Sequence, residues 1–324
     1  MFEVGADTGD VPGEFQFWVE RMHLDRVLPL PAACHDVRLN ADGTVLGIVT
    51  GMGNTRAAAS IMALGLDPRF DLRESYWLIA GIAGIDPTDG SVGSAVWAHF
   101  AVDGDLAHEI DGREAPPEWS TGYIPLDRKR PYELPQPTGT GAEGHVFELN
   151  PALVEWAFQL TRDTPLADND QLRRRRALFV GYPQALRPPF VLEGDNLAAS
   201  TFWHGAKLNA WANDWVRYYT SGKGNYVTTA MEDTGTLHAL SSLAKAGRAD
   251  SARVLLLRTA SNYDMQWPGA TAAESLQSES GGVLSGYLPA LEAAYAVGRR
   301  VVDTINAQWD RFEKAPPTLE IPAR

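Results

Sequence analysis

The alternation of apolar and polar positions over residues 226–264 predicts a strand, a helix and a second strand. A short β-rich run at 226–228 predicts the first strand. Leucines recur every third residue within 233–246, which is helical spacing, and Gly247 follows as a helix end. The unbroken apolar run at 254–257 is typical of a buried parallel strand. This strand–helix–strand unit is the central part of the predicted fold.

The same reasoning predicts elements elsewhere along the 324 residues. The predicted strands and hairpins are 37–39 with 45–50, 75–85, and 94–102 with 105–110 across an Asp-Gly turn. The predicted helices run from Asn54 or Thr55 to Leu64 before Gly65, from 151 to 160 after Asn150, and over 207–220 and 288–312. A chain of this length allows one large α/β domain or two small ones.

Two further segments have less regular patterns. Residues 111–143 are rich in Pro and Gly, but Trp119, Tyr123 and Tyr132 give this segment surface to bury. We therefore interpret it as an ordered excursion and not as a linker between domains. The four arginines at 173–176 could form a basic patch, but a solvated, ion-paired helix face is favoured on an acidic protein.

Polar clusters stand at the ends of the central elements. Met-Glu-Asp-Thr at 231–234 opens the predicted helix, and Ser-Asn-Tyr-Asp at 261–264 comes just past the second strand. Ligands bind beyond the carboxyl ends of strands in open parallel sheets, so we expect both clusters at one site. Taken alone, Glu232 and Asp233 are better explained as helix-capping residues, and the second cluster as a turn. Their joint spacing favours a functional site.

Charge and composition exclude several classes of protein. The formal net charge is −13, which argues against a nucleic-acid partner, since phosphate backbones need a basic surface. No apolar run approaches the roughly 18 residues that span a bilayer. The single cysteine, Cys34, cannot form an internal disulfide and has no metal-binding spacing around it. No phosphate-binding loop, dinucleotide fingerprint or nucleophile elbow is present.

The order of the motifs resembles the nucleoside phosphorylase superfamily: Met-Glu opening a helix, about thirty residues, an apolar strand, then Ser-Asn. The strings AMEDTGTLHAL, GMGNTRAAAS, YWLIAGIAGIDP and WSTGYIPL resemble its purine nucleoside permease branch in particular. The resemblance extends from Met1 to about Trp309. It implies an α/β fold: a nucleoside-phosphorylase-like single domain over 1–324, with a central mixed, twisted sheet flanked by helices.

The resemblance also implies roles for the two polar clusters. In the family, the Glu of Met-Glu holds the ribose hydroxyls and the Met packs on the sugar. The Asn or Asp after the strand hydrogen-bonds or protonates the purine. These residues correspond to Glu232, Met231 and Asn262 here, and Asp264 is a further candidate acid.

A glycine turn containing Gly51, Gly53 and Asn54 precedes a predicted helix. Glycines let a ligand approach the backbone, and a helix N-terminus favours an anion. The family uses this loop near ribose or phosphate, but a tight strand-to-helix turn needs the same residues.

A second glycine segment contains Gly81 and Gly84. Phosphorylases of the family often place an Arg just before it to bind phosphate, whereas this chain has Ile79 and Ala80 there. That departure puts phosphorolysis in doubt. Arg56 could supply the cation instead, or could be a solvated helix residue.

The segment 192–205 carries, in the family, an aromatic residue stacked on the base. Phe202 and Trp203 are the candidates, since an aromatic ring offers a face to a purine. A buried aromatic pair is the alternative interpretation. The polar candidates near the base are Ser200, Thr201, His204 and Ser261.

Members of the family usually begin with a β-strand that leads into a Met-Phe sequence. No such strand stands before Met1 and Phe2, so either the start is internal to the true reading frame or the fold lacks its first strand. In related hydrolases the loop after this strand supplies a Glu that orients the attacking water. Glu3 is the candidate, and a frayed acidic terminus is the alternative. The compartment stays open: cytoplasmic as written, or periplasmic behind an export signal.

The resemblance implies binding of a purine nucleoside and cleavage of its N-glycosidic bond by water or phosphate. The alternative is a non-catalytic nucleoside-binding protein that supports uptake. We expect no metal and no cofactor, with inorganic phosphate as an optional co-substrate. We also expect a homo-oligomer, because related folds assemble. The apolar stripe of the 288–312 helix is a packing face against the sheet or against another subunit.

Overall fold

The computed structural model describes residues 2–136, 144–280 and 286–319. The strands within these ranges are β1 (Arg26–Leu28), β2 (Val37–Leu39), β3 (Leu46–Gly47), β4 (Trp77–Ile85), β5 (Ala95–Trp97), β6 (Phe100–Asp103), β7 (His108–Glu109), β8 (Tyr123–Ile124), β9 (Val146–Glu148), β10 (Val191–Glu193), β11 (Asp195–Ala198), β12 (Tyr226–Ala230) and β13 (Val254–Tyr263). The helices are α1 (Gln16–Arg21), α2 (Asn54–Leu66), α3 (Pro151–Thr161), α4 (Asp170–Arg176), α5 (Ala206–Tyr219), α6 (Asp233–Lys245), α7 (Ala272–Ser280), α8 (Tyr287–Ala307) and α9 (Trp309–Phe312).

The main sheet has eight strands in the order β10-β5-β13-β4-β12-β11-β6-β9. Strand β13 runs parallel to β4 on one side, whereas β12 runs antiparallel to β4 on the other. A smaller sheet contains β1, β2 and β3, which pair antiparallel. Helix α8 packs on β13 and β4, and α5 packs on β11 and β12. This mixed sheet flanked by helices confirms the predicted α/β class.

Several helix ends follow the capping residues found in the sequence. Helix α3 begins after Asn150, whose side-chain oxygen accepts N–H groups at its start. Helix α6 ends just before Gly247, which has a φ of 68° that suits glycine. Helix α2 differs from the prediction: Gly53 is its N-cap, Asn54 is its first residue, and Gly65 lies inside it.

The prediction that both polar clusters follow parallel strands is wrong. Strand β13 continues to Tyr263, so Ser261 and Asn262 belong to the strand itself. Strands β12 and β13 flank β4 in opposite directions. The clusters still meet, because β12 pairs with β4 only at Gly84 and Ile85 and then diverges from β4, while it stays paired with β11 to its end at Ala230. The chain after β12 therefore passes beside the middle of β4, where β13 also runs.

The predicted hairpin over residues 94–110 is also wrong. Strand β5 lies between β10 and β13, whereas β6 lies between β11 and β9. Strand β7 pairs with β8 and not with β6. Alternation along a chain reports which side of a strand is buried, but it does not identify the neighbouring strand.

The arginine run is buried in part, which contradicts the predicted solvated face. Nη2 of Arg175 lies 2.5 Å from Oε1 of Glu279, and Arg176 bonds both oxygens of Asp168 at 2.8 and 2.9 Å. Arg173 is exposed. Consecutive residues of a helix point in different directions, so a run of four must turn some side chains inward.

The described part of the Pro- and Gly-rich segment packs against α5. The ring of Tyr123 stacks on Trp211 with centroids 4.5 Å apart, and that of Tyr132 meets Tyr218 at 5.8 Å. Residues 137–143, which the sequence places in the same excursion, lie outside the described ranges.

One edge of β4 is open along most of its length. From Trp77 to Ala83, no strand in the described ranges pairs with the edge opposite β13. A cavity of about 580 Å³ runs along this edge, between β3 and α8, and reaches Glu232 and Thr236 at one end. The first strand of the family pattern is not among the described residues.

Candidate active site

Three carboxylates surround the guanidinium of Arg258 at the centre of the sheet. Arg258 extends from β13 and is 1% exposed. Its Nε donates to both carboxylate oxygens of Asp233, at 3.0 and 3.1 Å. Its Nη2 donates to Oε2 of Glu232 at 3.2 Å, and its Nη1 lies 4.0 Å from Oε1 of Glu14. A cation held in this way is stable in a protein interior only because several carboxylates pair with it.

Glu14 is a residue that the sequence reasoning missed. Its Oε1 accepts the backbone N–H of Ile82 at 2.5 Å, and its Oε2 accepts that of Phe2 at 2.7 Å. Glu3, the expected acid, instead accepts N–H groups at the start of α1, including that of Phe15 at 2.9 Å. The one signal for Glu14 was a charge placed two residues before helix α1 and directly before Phe15.

Glycines in β4 make room for the charged cluster. Gly81 and Gly84 lie inside β4, within the strand predicted over residues 75–85. A Cβ at Gly81 would collide with Nη1 of Arg258 and would lie 2.6 Å from Oε1 of Glu14. A Cβ at Gly84 would lie 3.3 Å from Nδ2 of Asn262. Both glycines therefore allow functional side chains to lie against the strand.

Burial and charge move the pKa values of the two glutamates apart. Burial raises the pKa of Glu14, and the nearby charge of Glu232 adds to the rise. Burial also acts to raise the pKa of Glu232, but the positive charges of the amino terminus and, after it, of Arg258 bring it below its ordinary value, and the N–H groups of Met231 and Gly53 add to the fall. Glu232 is therefore the ionised member of the pair, and Glu14 is the member that takes up a proton more readily.

The predicted glycine turn lies against Glu232. Gly53 has a φ of 89° and its N–H donates to the Glu232 carboxylate. The backbone N–H of Asn54 donates to Oγ of Ser200 at 3.2 Å. The side-chain oxygen of Asn54 accepts the N–H of Gly235, in the first turn of α6, at 2.9 Å. Asn54 thus caps a helix other than its own.

Asp105 links these segments to one another. Its Oδ2 accepts Nδ2 of Asn54 at 3.1 Å and the backbone N–H of Ser200 at 2.7 Å. Asp103, two residues earlier, accepts the N–H of Asp105 at 2.8 Å and the hydroxyl of Thr234 at 2.9 Å. The turn after β6 therefore fixes three parts of the site relative to one another.

A small cavity of about 20 Å³ lies on the other side of the Met231–Glu232 pair. Its lining combines the end of β12, the middle of the sheet and the aromatic segment, namely Gly84, Thr201, Phe202, Trp203, Thr229, Ala230, Met231 and Asn262. Phe202 is 49% exposed, whereas Trp203 is 7% exposed. Thr201, Phe202, Trp203 and Asn262 are in this lining, whereas the other expected polar residues, Ser200, His204 and Ser261, are not. Their roles at a base stay predictions.

Asn262 and Asp264 differ in their access to this cavity. Oδ1 of Asn262 accepts the hydroxyl of Ser261 at 2.9 Å, and its Nδ2 donates to the carbonyl of Tyr263 at 3.0 Å. Asp264 is buried behind the cavity, where Asn209 donates to both its oxygens at 3.2 and 3.3 Å and Tyr226 contacts it closely. Burial raises the pKa of Asp264 well above its usual range, and the nearby charge of Asp86 adds to the rise, so the protonated form of this carboxyl is favoured.

Comparison with known proteins identifies the family. The model of a family described as purine nucleoside permease matches residues 1–317. The chain belongs to this family. A probable purine nucleoside permease of Schizosaccharomyces pombe is 33% identical over 278 residues, which cover 84% of this chain and 79% of that protein. A purine nucleoside permease of Candida albicans is 29% identical over 304 residues, covering 92% and 73%.

Solved structures with a similar fold are nucleosidases and hydrolases. The 5′-methylthioadenosine/S-adenosylhomocysteine nucleosidase of Neisseria meningitidis, in complex with methylthio-immucillin-A, superposes with a TM-score of 0.52. It is 14% identical, over 92% of this chain and 97% of that one. Futalosine hydrolase of Helicobacter pylori gives a TM-score of 0.54 at 13% identity, over 92% and 96%. At these identities the likeness shows the fold, and it confirms the predicted nucleoside-phosphorylase-like class.

In this member of the permease family, no helix within the described ranges is long and apolar enough to cross a membrane.

Groups of His, Cys, Asp and Glu that could hold a metal ion are likewise absent from the described residues.

Arg56 is the expected site residue that does not lie with the others. It is exposed on the first turn of α2, while Arg258 is buried among carboxylates. Arg258, like Glu14, was missed by the sequence reasoning. The sequence does not show that this arginine is buried, because its carboxylate partners come from distant parts of the chain.

Proposed function

We propose that this protein hydrolyses the N-glycosidic bond of purine nucleosides, with Glu232 at the sugar and Glu14 acting on the attacking water. The observation that carries the proposal is the pair of buried glutamates on one guanidinium, with their pKa values moved apart. The family name and the nucleosidase-like fold support a nucleoside as the ligand.

Glu232 suits the sugar side of the reaction. Positive, oxocarbenium-like charge develops on the ribose as the bond to the base breaks. An ionised carboxylate that is already held by Arg258 and Gly53 needs no rearrangement to stabilise this charge. The same carboxylate can accept the ribose hydroxyl protons, and Met231 beside it can pack on the sugar.

Glu14 suits the water. A general base works best when its pKa lies near the operating pH, and burial moves the pKa of Glu14 in that direction. In the proposed step the water oxygen bonds to C1′ and a water proton passes to Glu14. The C1′–N9 bond breaks, its electron pair goes to the purine, and the purine takes up a proton from the carboxyl of Asp264, which solvent then reprotonates.

The charges disfavour phosphate as the nucleophile. A phosphate dianion beside Glu14 and Glu232 would be repelled by both carboxylates. Arg258 is already bonded to Asp233 and Glu232, and Arg56 is exposed away from the cluster.

On the base side, Asn262 can donate a hydrogen bond from Nδ2 to the leaving purine. Phe202 offers an aromatic face at the mouth of the cavity. The carboxyl of Asp264 lies behind Asn262, and its raised pKa favours the protonated form that can supply a proton to the leaving purine. We keep Asp264 as a proposed acid, acting from behind this pocket.

The test is to incubate the purified protein with inosine, adenosine and guanosine, with and without phosphate, and to separate the products. Free base and ribose without phosphate are expected, and Glu232→Gln should abolish them. Ribose 1-phosphate formed only with phosphate would replace water by phosphate as the nucleophile. No free base, with nucleoside binding still seen by calorimetry, would leave the non-catalytic binder that the relatives' permease names also suit.

A further inference from the structure

The indole N–H of Trp203 is an unused donor beside the base cavity. Trp203 lines this cavity together with Asn262, and its side chain is 7% exposed. Its Nε1 is enclosed and has no hydrogen-bond partner within the described part of the chain. Among the described residues that line this cavity, no other has a buried, unpartnered polar atom of this kind.

An enclosed donor without a partner costs about 1–3 kcal/mol, so native proteins contain few of them. A bound ligand that supplies an acceptor removes this cost. The chemistry of the acceptor is constrained, because an indole N–H can donate and cannot accept. An amino group in the same place would leave two donors facing each other.

We propose that Trp203 donates its Nε1–H to the carbonyl oxygen of a 6-oxopurine and so selects hypoxanthine or guanine nucleosides over adenine nucleosides. This inference rests on the proposed function in one respect, since it takes the purine to bind in the cavity beside Asn262. It follows from the adjacent placement of Asn262 and Trp203, because N7 and O6 are neighbouring acceptors on one edge of a 6-oxopurine.

His204, the next residue, has the complementary chemistry. Both its ring nitrogens are enclosed and have no partner in the described ranges. Burial lowers its pKa to about 4, with Arg175 adding to the effect, so the ring is neutral at pH 7. A neutral imidazole offers one acceptor nitrogen, which can receive the N1–H that a 6-oxopurine has and adenine lacks.

The cavity must open before a purine can enter, since about 20 Å³ is close to the volume that holds one water. Phe202 is the lining aromatic residue with freedom to move, because 49% of it is exposed. Displacement of Phe202 would expose the Trp203 edge of the pocket, and its ring could then cover the bound base.

Calorimetric titration of the wild-type protein with hypoxanthine, unsubstituted purine and adenine tests the selection without requiring turnover. We expect hypoxanthine to bind at least about tenfold more tightly than the other two, which corresponds to about 1.4 kcal/mol. Tighter binding of adenine, equal binding of all three, or no binding at about 1 mM would overturn the inference.

The matched variants are Trp203→Phe and Trp211→Phe. Trp211 is also buried with an unpartnered Nε1 and packs 5.9 Å from Trp203, but it does not line the cavity. Trp203→Phe should weaken hypoxanthine binding about tenfold and leave adenine binding unchanged, because it removes the donor that only the 6-oxopurine uses. Trp211→Phe should keep the preference.

If Trp203→Phe binds hypoxanthine as the wild type does, the inference is wrong. If that variant does not fold, the wild-type series of three bases decides alone. Selection of hypoxanthine by a protein that releases no base from inosine would overturn the proposed hydrolysis and leave the base selection standing.

Discussion

The guanidinium of Arg258 donates to the carboxylate of Glu232 across 3.2 Å, although the two residues come from different elements of the fold. Glu232 immediately precedes α6, and Arg258 lies midway along β13. The bond favours the ionised form of the buried Glu232 carboxylate, which lies just after the end of β12. A nucleosidase needs a fixed negative charge of this kind beside the ribose.

Glu14→Gln should lower kcat by about 10²–10⁴, because it removes the base that takes the water proton. The KM should change little, since Glu14 acts on water and not on the nucleoside. Steady-state kinetics with the preferred nucleoside measure both. Glu114→Gln, at an exposed position, is the control and should be neutral. Unchanged kcat in Glu14→Gln would remove Glu14 from the mechanism.

Arg258→Met should lower the free energy of unfolding by about 3–5 kcal/mol, since it leaves buried carboxylates without their cation. Urea denaturation followed by circular dichroism measures this loss. The exposed Arg56→Met variant should stay within about 0.5 kcal/mol of the wild type. A loss below about 1 kcal/mol in Arg258→Met would contradict the view that these carboxylates are charged.

Gly81→Ala should damage the site through its own Cβ, which would meet Nη1 of Arg258 and Oε1 of Glu14. We expect a stability loss of about 1–3 kcal/mol, because the surrounding strand cannot move freely. The loss of kcat/KM should exceed that of Gly112→Ala, where an added Cβ meets nothing within 4 Å. Equal kinetics in the two variants would show that the cluster tolerates displacement.

Asp105→Ala should lower kcat/KM about tenfold, because Asn54 and Ser200 lose their shared acceptor. The amide of Asn54 would then be free to turn its N–H groups toward the N–H of Gly235. The Asp105→Glu variant should keep more of the wild-type kcat/KM than Asp105→Ala does. The exposed Asp111→Ala variant is the control. Wild-type kinetics in Asp105→Ala would limit this residue to a structural role.

Asp264→Asn tests the raised pKa of this buried carboxyl through the pH dependence of the free energy of unfolding. The folded pKa of Asp264 lies well above that of the unfolded chain, about 3.9, so the folded state holds the proton longer. The contribution of this bound proton to the free energy of unfolding is therefore fully present below about pH 3.9. It is lost as pH rises toward the folded pKa, by up to about 1.4 kcal/mol per pH unit. The variant removes this loss, so its stability relative to wild type should increase between pH 5 and 8 in denaturation curves. A constant difference across that range would show that Asp264 is ionised in the fold.

Sequence patterns predicted those structural features that depend on residues close to one another in the sequence. The cap at Asn150 and the end of α6 at Gly247 were found because each is satisfied within one turn of helix. The Met231–Glu232 pair and Asn262 were found because their order along the chain resembles a known family. The lining of the base cavity followed from the same resemblance.

The tertiary structure decided which strands are neighbours and which charges are buried. Strands β5 and β6 follow each other in the chain but are not neighbours in the sheet, and β12 runs antiparallel to β4. No local pattern predicts either fact, because periodicity reports the buried face of a strand and not the adjacent strand. Glu14 and Arg258 gained their roles in the same way. A buried charge is stable only beside opposite charges and N–H groups, and here these come from segments far apart in the chain. The sequence by itself therefore determined those elements that local patterns specify and the candidate residues near the ends of β12 and β13, while only the folded chain brought Glu14 and Arg258 beside Glu232.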